Sequence, residues 1–167
     1  MSHKPYHLLV VCTGNQCRSP MAEGFLNQKL REQDITDILV SSAGTLTGEG
    51  IPPASDTVLV MEEEQVDISM LRSEPLTSEI VEAADLILVM ETAHKAYLRR
   101  MWPAAESKVF LLKEYGEGGR LEDVDDPIGK ERNDHRHSRD EIEAEIDRIL
   151  PGLIKDAGTG ERCGNKE

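Results

Sequence analysis

Residues 7–20 read HLLVVCTGNQCRSP: an apolar run, a cysteine, a loop with one glycine, an arginine and a serine–proline pair. A continuous apolar run suits a strand covered on both faces, and Pro20 suits the first turn of a helix. A buried strand that passes at once into a helix constrains the fold more than any other feature of the chain. It calls for a parallel sheet with helices packed on its faces.

The pattern repeats along the sequence. Phe25, Leu26 and Leu30 recur at helical spacing over 20–33, and ILVSSAG at 38–44 reads as a second strand. Residues 53–65 read as a helix with Val58, Leu59 and Met61 or Val66 on its buried side, and Thr77 suits the cap of a short helix. DLILVM (85–90) and KVFLL (108–112) read as the third and fourth strands, with a helix through HKAYLRRMW between them. A polar loop is expected over 113–137. Ser138 is expected to cap a last amphipathic helix carrying Ile142, Ile146, Ile149, Leu150 and Leu153, which Pro151 bends or ends. The expected fold is therefore α/β. It is a single three-layer domain over residues 1–157: a four-stranded parallel sheet flanked by helices, with a phosphate-binding loop after strand 1. The polar, glycine-rich segment 158–167 reads as a disordered tail.

Composition narrows the function. A net charge of −13 argues against a general nucleic-acid binder, which needs a basic face. No apolar run is long enough to cross a bilayer, and MSHKPYH lacks the apolar stretch of a secretory signal, so no membrane partner and a cytoplasmic location are expected. The three cysteines, Cys12, Cys17 and Cys163, are too few for a disulfide scaffold and have no zinc spacing. His135 and His137 read as surface residues in a polar turn, so no metal site is expected.

In parallel sheets, ligands sit at the carboxyl ends of the strands, where Cys12 falls. The N–H groups of the loop CTGNQCR (12–18) converge on an anion there, and the helix that follows adds its positive end. Gly14 is expected to supply an unusual backbone angle, and the planar fork of Arg18 matches two phosphate oxygens. The same field favours the thiolate form of a thiol seated there, with the Thr13 and Ser19 hydroxyls as donors to it. A thiolate beneath a phosphoryl group is set for in-line attack, giving a cysteinyl-phosphate that water hydrolyses. The leaving group needs a proton. VDDPIGK at 124–130 offers Asp126, held by Pro127, with Asp125 as the alternative acid and Asp123 less suited because no proline follows it.

The stretch CTGNQCRSPMAEG (12–24), followed in order by SSAGT (41–45), DLILVM and DDPIG (125–129), resembles the low-molecular-weight protein tyrosine phosphatases. The likeness covers roughly residues 7–155 and includes the bacterial protein arginine phosphatases. It implies a cysteine-dependent hydrolase with Cys12 as nucleophile, Arg18 binding phosphate and Asp126 as general acid/base. Thr13, Gly14, Asn15, Gln16, Cys17 and Ser19 would form the phosphate-binding loop, with Asn15 and Ser42 shaping it. Cys17 would be a second loop cysteine able to pair reversibly with Cys12. The substrate implied is a phosphorylated protein, most simply phosphotyrosine with phosphoarginine as the alternative. Inorganic phosphate or another oxyanion would occupy the loop, and no cofactor is implied. Three departures stand out: Ile128 and Gly129 replace the aromatics common after Asp-Pro, Gln16 replaces isoleucine or threonine, and Leu71 replaces a histidine. Two other readings share the loop. An arsenate reductase needs further cysteines nearby, and none lies between Cys17 and Cys163. A non-catalytic oxyanion-binding module would have no use for Cys12, Arg18 and Asp126 together.

Overall fold

The computed structural model describes residues 4–158. Four strands, β1 (Tyr6–Cys12), β2 (Ile38–Gly44), β3 (Leu86–Val89) and β4 (Val109–Leu111), form one parallel sheet in the order β2-β1-β3-β4. Helix α1 (Arg18–Glu32) links β1 to β2, and α2 (Ser55–Glu62) and α3 (Ser78–Ala83) lie between β2 and β3. Helix α4 (Thr92–Met101) and a 3-10 turn (Pro103–Lys108) lead to β4, and α5 (Arg132–Gly158) closes the chain.

Alternate residues of β1 serve opposite layers, which is why the strand has no polar position from Leu8 to Cys12. Leu8, Val10 and Cys12 pack with Phe25 and Leu26 of α1 and Ile142 and Ile146 of α5. Leu9 and Val11 pack with Val81 of α3 and Leu98 of α4. Both faces of the sheet are thus covered, as the unbroken apolar run of β1 requires. Each fully buried side chain of this kind contributes roughly 1.5–3 kcal/mol.

The chain leaves β1 toward one edge of the sheet and returns on the other side of β1 for β3. The strand order reverses between those two strands, and a crevice opens at their carboxyl ends. Cys12 ends β1, and Met90 and Glu91 follow β3.

Three sequence expectations are corrected. The last helix starts at Arg132, not Ser138, and Ser138 and His135 lie buried within it. The start is set by Asp134, whose carboxylate accepts from the Glu131 N–H at 3.1 Å, half of a capping box. Pro151 does not end α5, which continues to Gly158. Pro151 is exposed, so the backbone bond that its ring removes falls on the solvent side of the helix. In α2 the buried residues are Thr57, Val60 and Met61, whereas Leu59 is 41 % exposed. Of the segment 158–167, residues 159–167 lie outside the described residues.

Candidate active site

The loop from Cys12 to Cys17 joins the end of β1 to the start of α1, and its shape depends on Asn15. That residue, not Gly14, adopts the left-handed conformation, with φ +53°. Asparagine tolerates this region because its short polar side chain bonds locally. Here Asn15 Oδ1 accepts from the Glu74 N–H at 2.9 Å, and Nδ2 donates to Ser19 Oγ (2.8 Å) and Ser42 Oγ (2.9 Å). The loop also lies against the end of β2. A Cβ added at Gly44 would stand 2.6 Å from the Thr13 carbonyl oxygen, so only glycine fits.

The hydroxyl directions follow from these bonds. Ser19 Oγ accepts from Asn15, which leaves its proton for Cys12 Sγ, 2.9 Å away. Ser42 accepts from Asn15 and donates to Glu23 Oε2 at 2.6 Å. Burial raises the Glu23 carboxyl above its ordinary range, with nearby Glu74 adding to the effect and the Ser42 bond opposing it.

Arg18 is 1 % exposed. Its Nη1 donates to the Val124 carbonyl oxygen at 2.7 Å and to the Glu91 carboxylate. Its Nη2 reaches Thr13 Oγ1 at 3.5 Å and Asp126 Oδ2 at 3.4 Å. Among the described residues, Arg18 Nε is the buried side-chain nitrogen that has no hydrogen-bond partner. Leaving a buried donor unpaired costs about 1–3 kcal/mol. One edge of the guanidinium is therefore anchored, while the edge formed by Nε and Nη2 keeps donor capacity for a bidentate oxyanion.

The structure brings the predicted residues other than Asn15, Ser19 and Ser42 together at one cavity of about 170 Å³. It is lined by Cys12, Thr13, Gly14, Gln16, Cys17, Arg18, Asp126 and Ile128. A larger groove of about 550 Å³ between α1 and residues 65–71 contains none of them. Of the three aspartates weighed as acids, Asp126 is half-buried beside Arg18 and Asp125 is exposed. The Asp123 carboxylate instead accepts from the Thr92 N–H at 2.8 Å, at the start of α4. The Asp126 side chain is steadied by the Ile128 N–H, 3.0 Å from its Oδ1.

Cys17 is buried next to the cavity, and burial pushes its thiol up to about 11 against a hydrogen bond from Thr57. Thr57 Oγ1 lies 3.0 Å from His135 Nδ1, which explains why His135 is buried and not a surface residue. Sequence reasoning missed Glu23, Glu91 and His94. Glu91 and His94 carried a signal: a capping-box spacing directly after a buried strand, at the sheet's switch point. Among the described residues no group of acidic, histidine or cysteine side chains is arranged to hold a metal ion. No helix there is long and apolar enough to cross a membrane.

The site thus sets a thiol, an arginine with a buried unpaired donor and an aspartate around one cavity at the switch point of a doubly covered parallel sheet. Residues 7–159 match the family model of the low molecular weight phosphotyrosine protein phosphatases, and the chain belongs to that family. It is 36 % identical over 149 residues to a protein-arginine-phosphatase of Geobacillus stearothermophilus, covering 89 % of this chain and 97 % of the relative. It is 37 % identical over 148 residues to EpsP of Ralstonia nicotianae, described as a probable low molecular weight protein-tyrosine-phosphatase, covering 87 % and 94 %. The YwlE arginine phosphatase structure from G. stearothermophilus superposes with a TM-score of 0.84 at 32 % identity, covering 98 % of this chain and all of that one. A low molecular weight protein tyrosine phosphatase from T. tengcongensis superposes with a TM-score of 0.83 at 37 % identity, covering 88 % and 99 %. The chain is thus an enzyme of the protein phosphatase class, with the fold expected from its sequence.

Proposed function

We propose that this chain removes phosphate from phosphorylated protein side chains, as a protein-tyrosine phosphatase, through a cysteinyl-phosphate on Cys12. The observation that carries the reading is the half-anchored guanidinium of Arg18, whose Nε is buried and unpaired beside the Cys12 thiol. The loop amides of 13–18, with Arg18 Nε and Nη2, bind the three non-bridging oxygens. Cys12 sulfur attacks phosphorus, the bond to the leaving oxygen breaks, and the Asp126 carboxyl passes its proton to that oxygen. The Asp126 carboxylate then takes a proton from water, which attacks phosphorus and releases phosphate and the Cys12 thiolate. Ser19 steadies the thiolate as acceptor and as leaving group. Arg18 and the amides stabilise the charge on the equatorial oxygens in both steps.

A second substrate, phosphoarginine, in which the P–N bond breaks and the guanidino nitrogen takes the proton, is favoured by one observation. Among the described residues no aromatic ring lines the cavity, whose lining includes the aliphatic Ile128 and the Gln16 side chain. An aliphatic stem packs on such a wall without the stacking that a phenyl ring gains from an aromatic one. The test is hydrolysis of matched phosphotyrosine and phosphoarginine peptides by the wild type and by Cys12→Ser. The wild type is expected to release phosphate in the presence of a chelator, and Cys12→Ser to bind phosphate but release none. Turnover by Cys12→Ser overturns the mechanism. A strong preference for the phosphoarginine peptide overturns the tyrosine assignment.

A further inference from the structure

We infer that the Thr13 hydroxyl donates a hydrogen bond to the bound phosphoryl group, and that His94 is the positioning residue that aims it. The inference rests on reading the 12–18 loop as a phosphate site. It adds a side-chain donor held from another strand-to-helix junction.

The direction of each bond follows from where the protons are. Glu91 caps α4, and its backbone N–H donates to His94 Nδ1 at 3.1 Å. A nitrogen that accepts carries no proton. Burial first, and the charge of Arg18 second, hold the His94 imidazole down to about 4 against Glu91, Asp123 and Asp126, so it is neutral at ordinary pH. Its one ring proton is therefore on Nε2. That nitrogen lies 2.8 Å from Thr13 Oγ1 and must be the donor. Arg18 Nη2, which can only donate, reaches the same oxygen at 3.5 Å. A hydroxyl has two lone pairs and one proton. Both lone pairs of Thr13 face donors, and its proton remains for an acceptor.

Thr13 lines the cavity beside Cys12 and Arg18, whereas His94 does not touch it. The loop amides and Arg18 are donors too, and the two acceptors on the cavity wall already have partners: Cys12 Sγ takes the Ser19 proton, and the Asp126 carboxylate is held by Arg18 and the Ile128 N–H, so the acceptor left for the Thr13 proton is the bound anion. His94 is 3 % exposed and fixed by the Glu91 cap, and it leaves the threonine no alternative orientation. An alanine or valine at position 13 would keep the backbone cradle and lose this donor.

Inorganic phosphate binding to the Cys12→Ser protein, measured by calorimetry, tests the inference apart from turnover. In that background Thr13→Val is expected to weaken phosphate about tenfold, the loss of one charge-assisted hydrogen bond. Thr13→Ser, which keeps the hydroxyl, is expected to bind within about twofold of the parent. His94→Ala is expected to match Thr13→Val, and the double variant to be no weaker than either single one. A merely structural role for His94 as a cap would lower the melting temperature equally with and without the Thr13→Val change and would not produce that coupling. Unchanged phosphate binding in Thr13→Val, failure of Thr13→Ser to restore it, or additive losses overturns the inference while the phosphate site stands. A Cys12→Ser protein that binds no phosphate overturns the site reading, and the inference with it.

Discussion

The Asp126 carboxylate stands 3.4 Å from the Arg18 guanidinium, so the proposed proton donor and the proposed anion clamp face the same cavity from segments far apart in sequence. That placement makes the acid role measurable. Asp126→Asn is expected to slow hydrolysis of esters with poor leaving groups by about 10²–10⁴-fold, and to have much less effect on good ones such as nitrophenolate. Equal losses across a leaving-group series would remove Asp126 from that role.

Arg18→Lys keeps the positive charge and discards the fork. Lysine cannot anchor to Glu91 and Val124 while also presenting two parallel donors to an anion. A fall in kcat of about 10²–10³-fold is expected, with vanadate and phosphate inhibition weakened in parallel. Steady-state kinetics with both inhibitors checks this, and near wild-type values would show that charge alone suffices.

Two glycines of the site are expected to respond differently to a methyl group. At Gly44 an added Cβ meets the Thr13 carbonyl oxygen at 2.6 Å and Asn15 Cβ at 3.2 Å, so the loop must shift. Gly44→Ala is expected to cost about 1–3 kcal/mol and most of the activity. At Gly14 the nearest atom is the Gln16 side-chain amide nitrogen at 3.7 Å, an ordinary contact, so Gly14→Ala is expected to be mild. Urea melts and activity measurements on both variants decide the point; the reverse ranking would contradict the observed packing.

His94 ties stability to pH. Its folded value, about 4, lies below the ordinary 6.5, so the unfolded chain takes up the proton first as pH falls. The His94 contribution is complete above about 6.5 and fades toward about 4. At most it is on the order of 3 kcal/mol. The stability gap between the wild type and His94→Gln is therefore expected to be widest at neutral pH and to narrow across that window. Denaturant melts at several pH values measure it, and a constant gap would show that His94 contributes by packing alone.

The sheet is legible in the sequence because buried parallel strands are short, unbroken apolar runs, and HLLVV, DLILV and KVFLL are such runs. The loop is legible because its chemistry is contiguous, from Cys12 through Ser19. Less visible is anything that depends on distant pairing. Glu91 and His94 look like an ordinary helix start until β3 is seated beside β1. His135 reads as a surface residue because its buried partner, Thr57, is 78 positions earlier. The start of α5 is misplaced because Ser138 resembles a cap by residue type, whereas Asp134 performs that job by geometry. Gly14 draws attention as the only glycine of the loop, although Asn15 carries the positive φ.

The anchors of Arg18 lie 73 and 106 positions downstream, at Glu91 and the Val124 carbonyl. A ribosome finishes the thiol loop long before it makes the residues that hold the guanidinium in place. During synthesis the growing chain therefore carries the sulfur without a seated guanidinium, and on the proposed mechanism hydrolytic competence arrives late, once the segment through Asp126 has emerged and docked. A premature stop between Gly24 and that point leaves the whole signature motif intact and is expected to leave the protein idle.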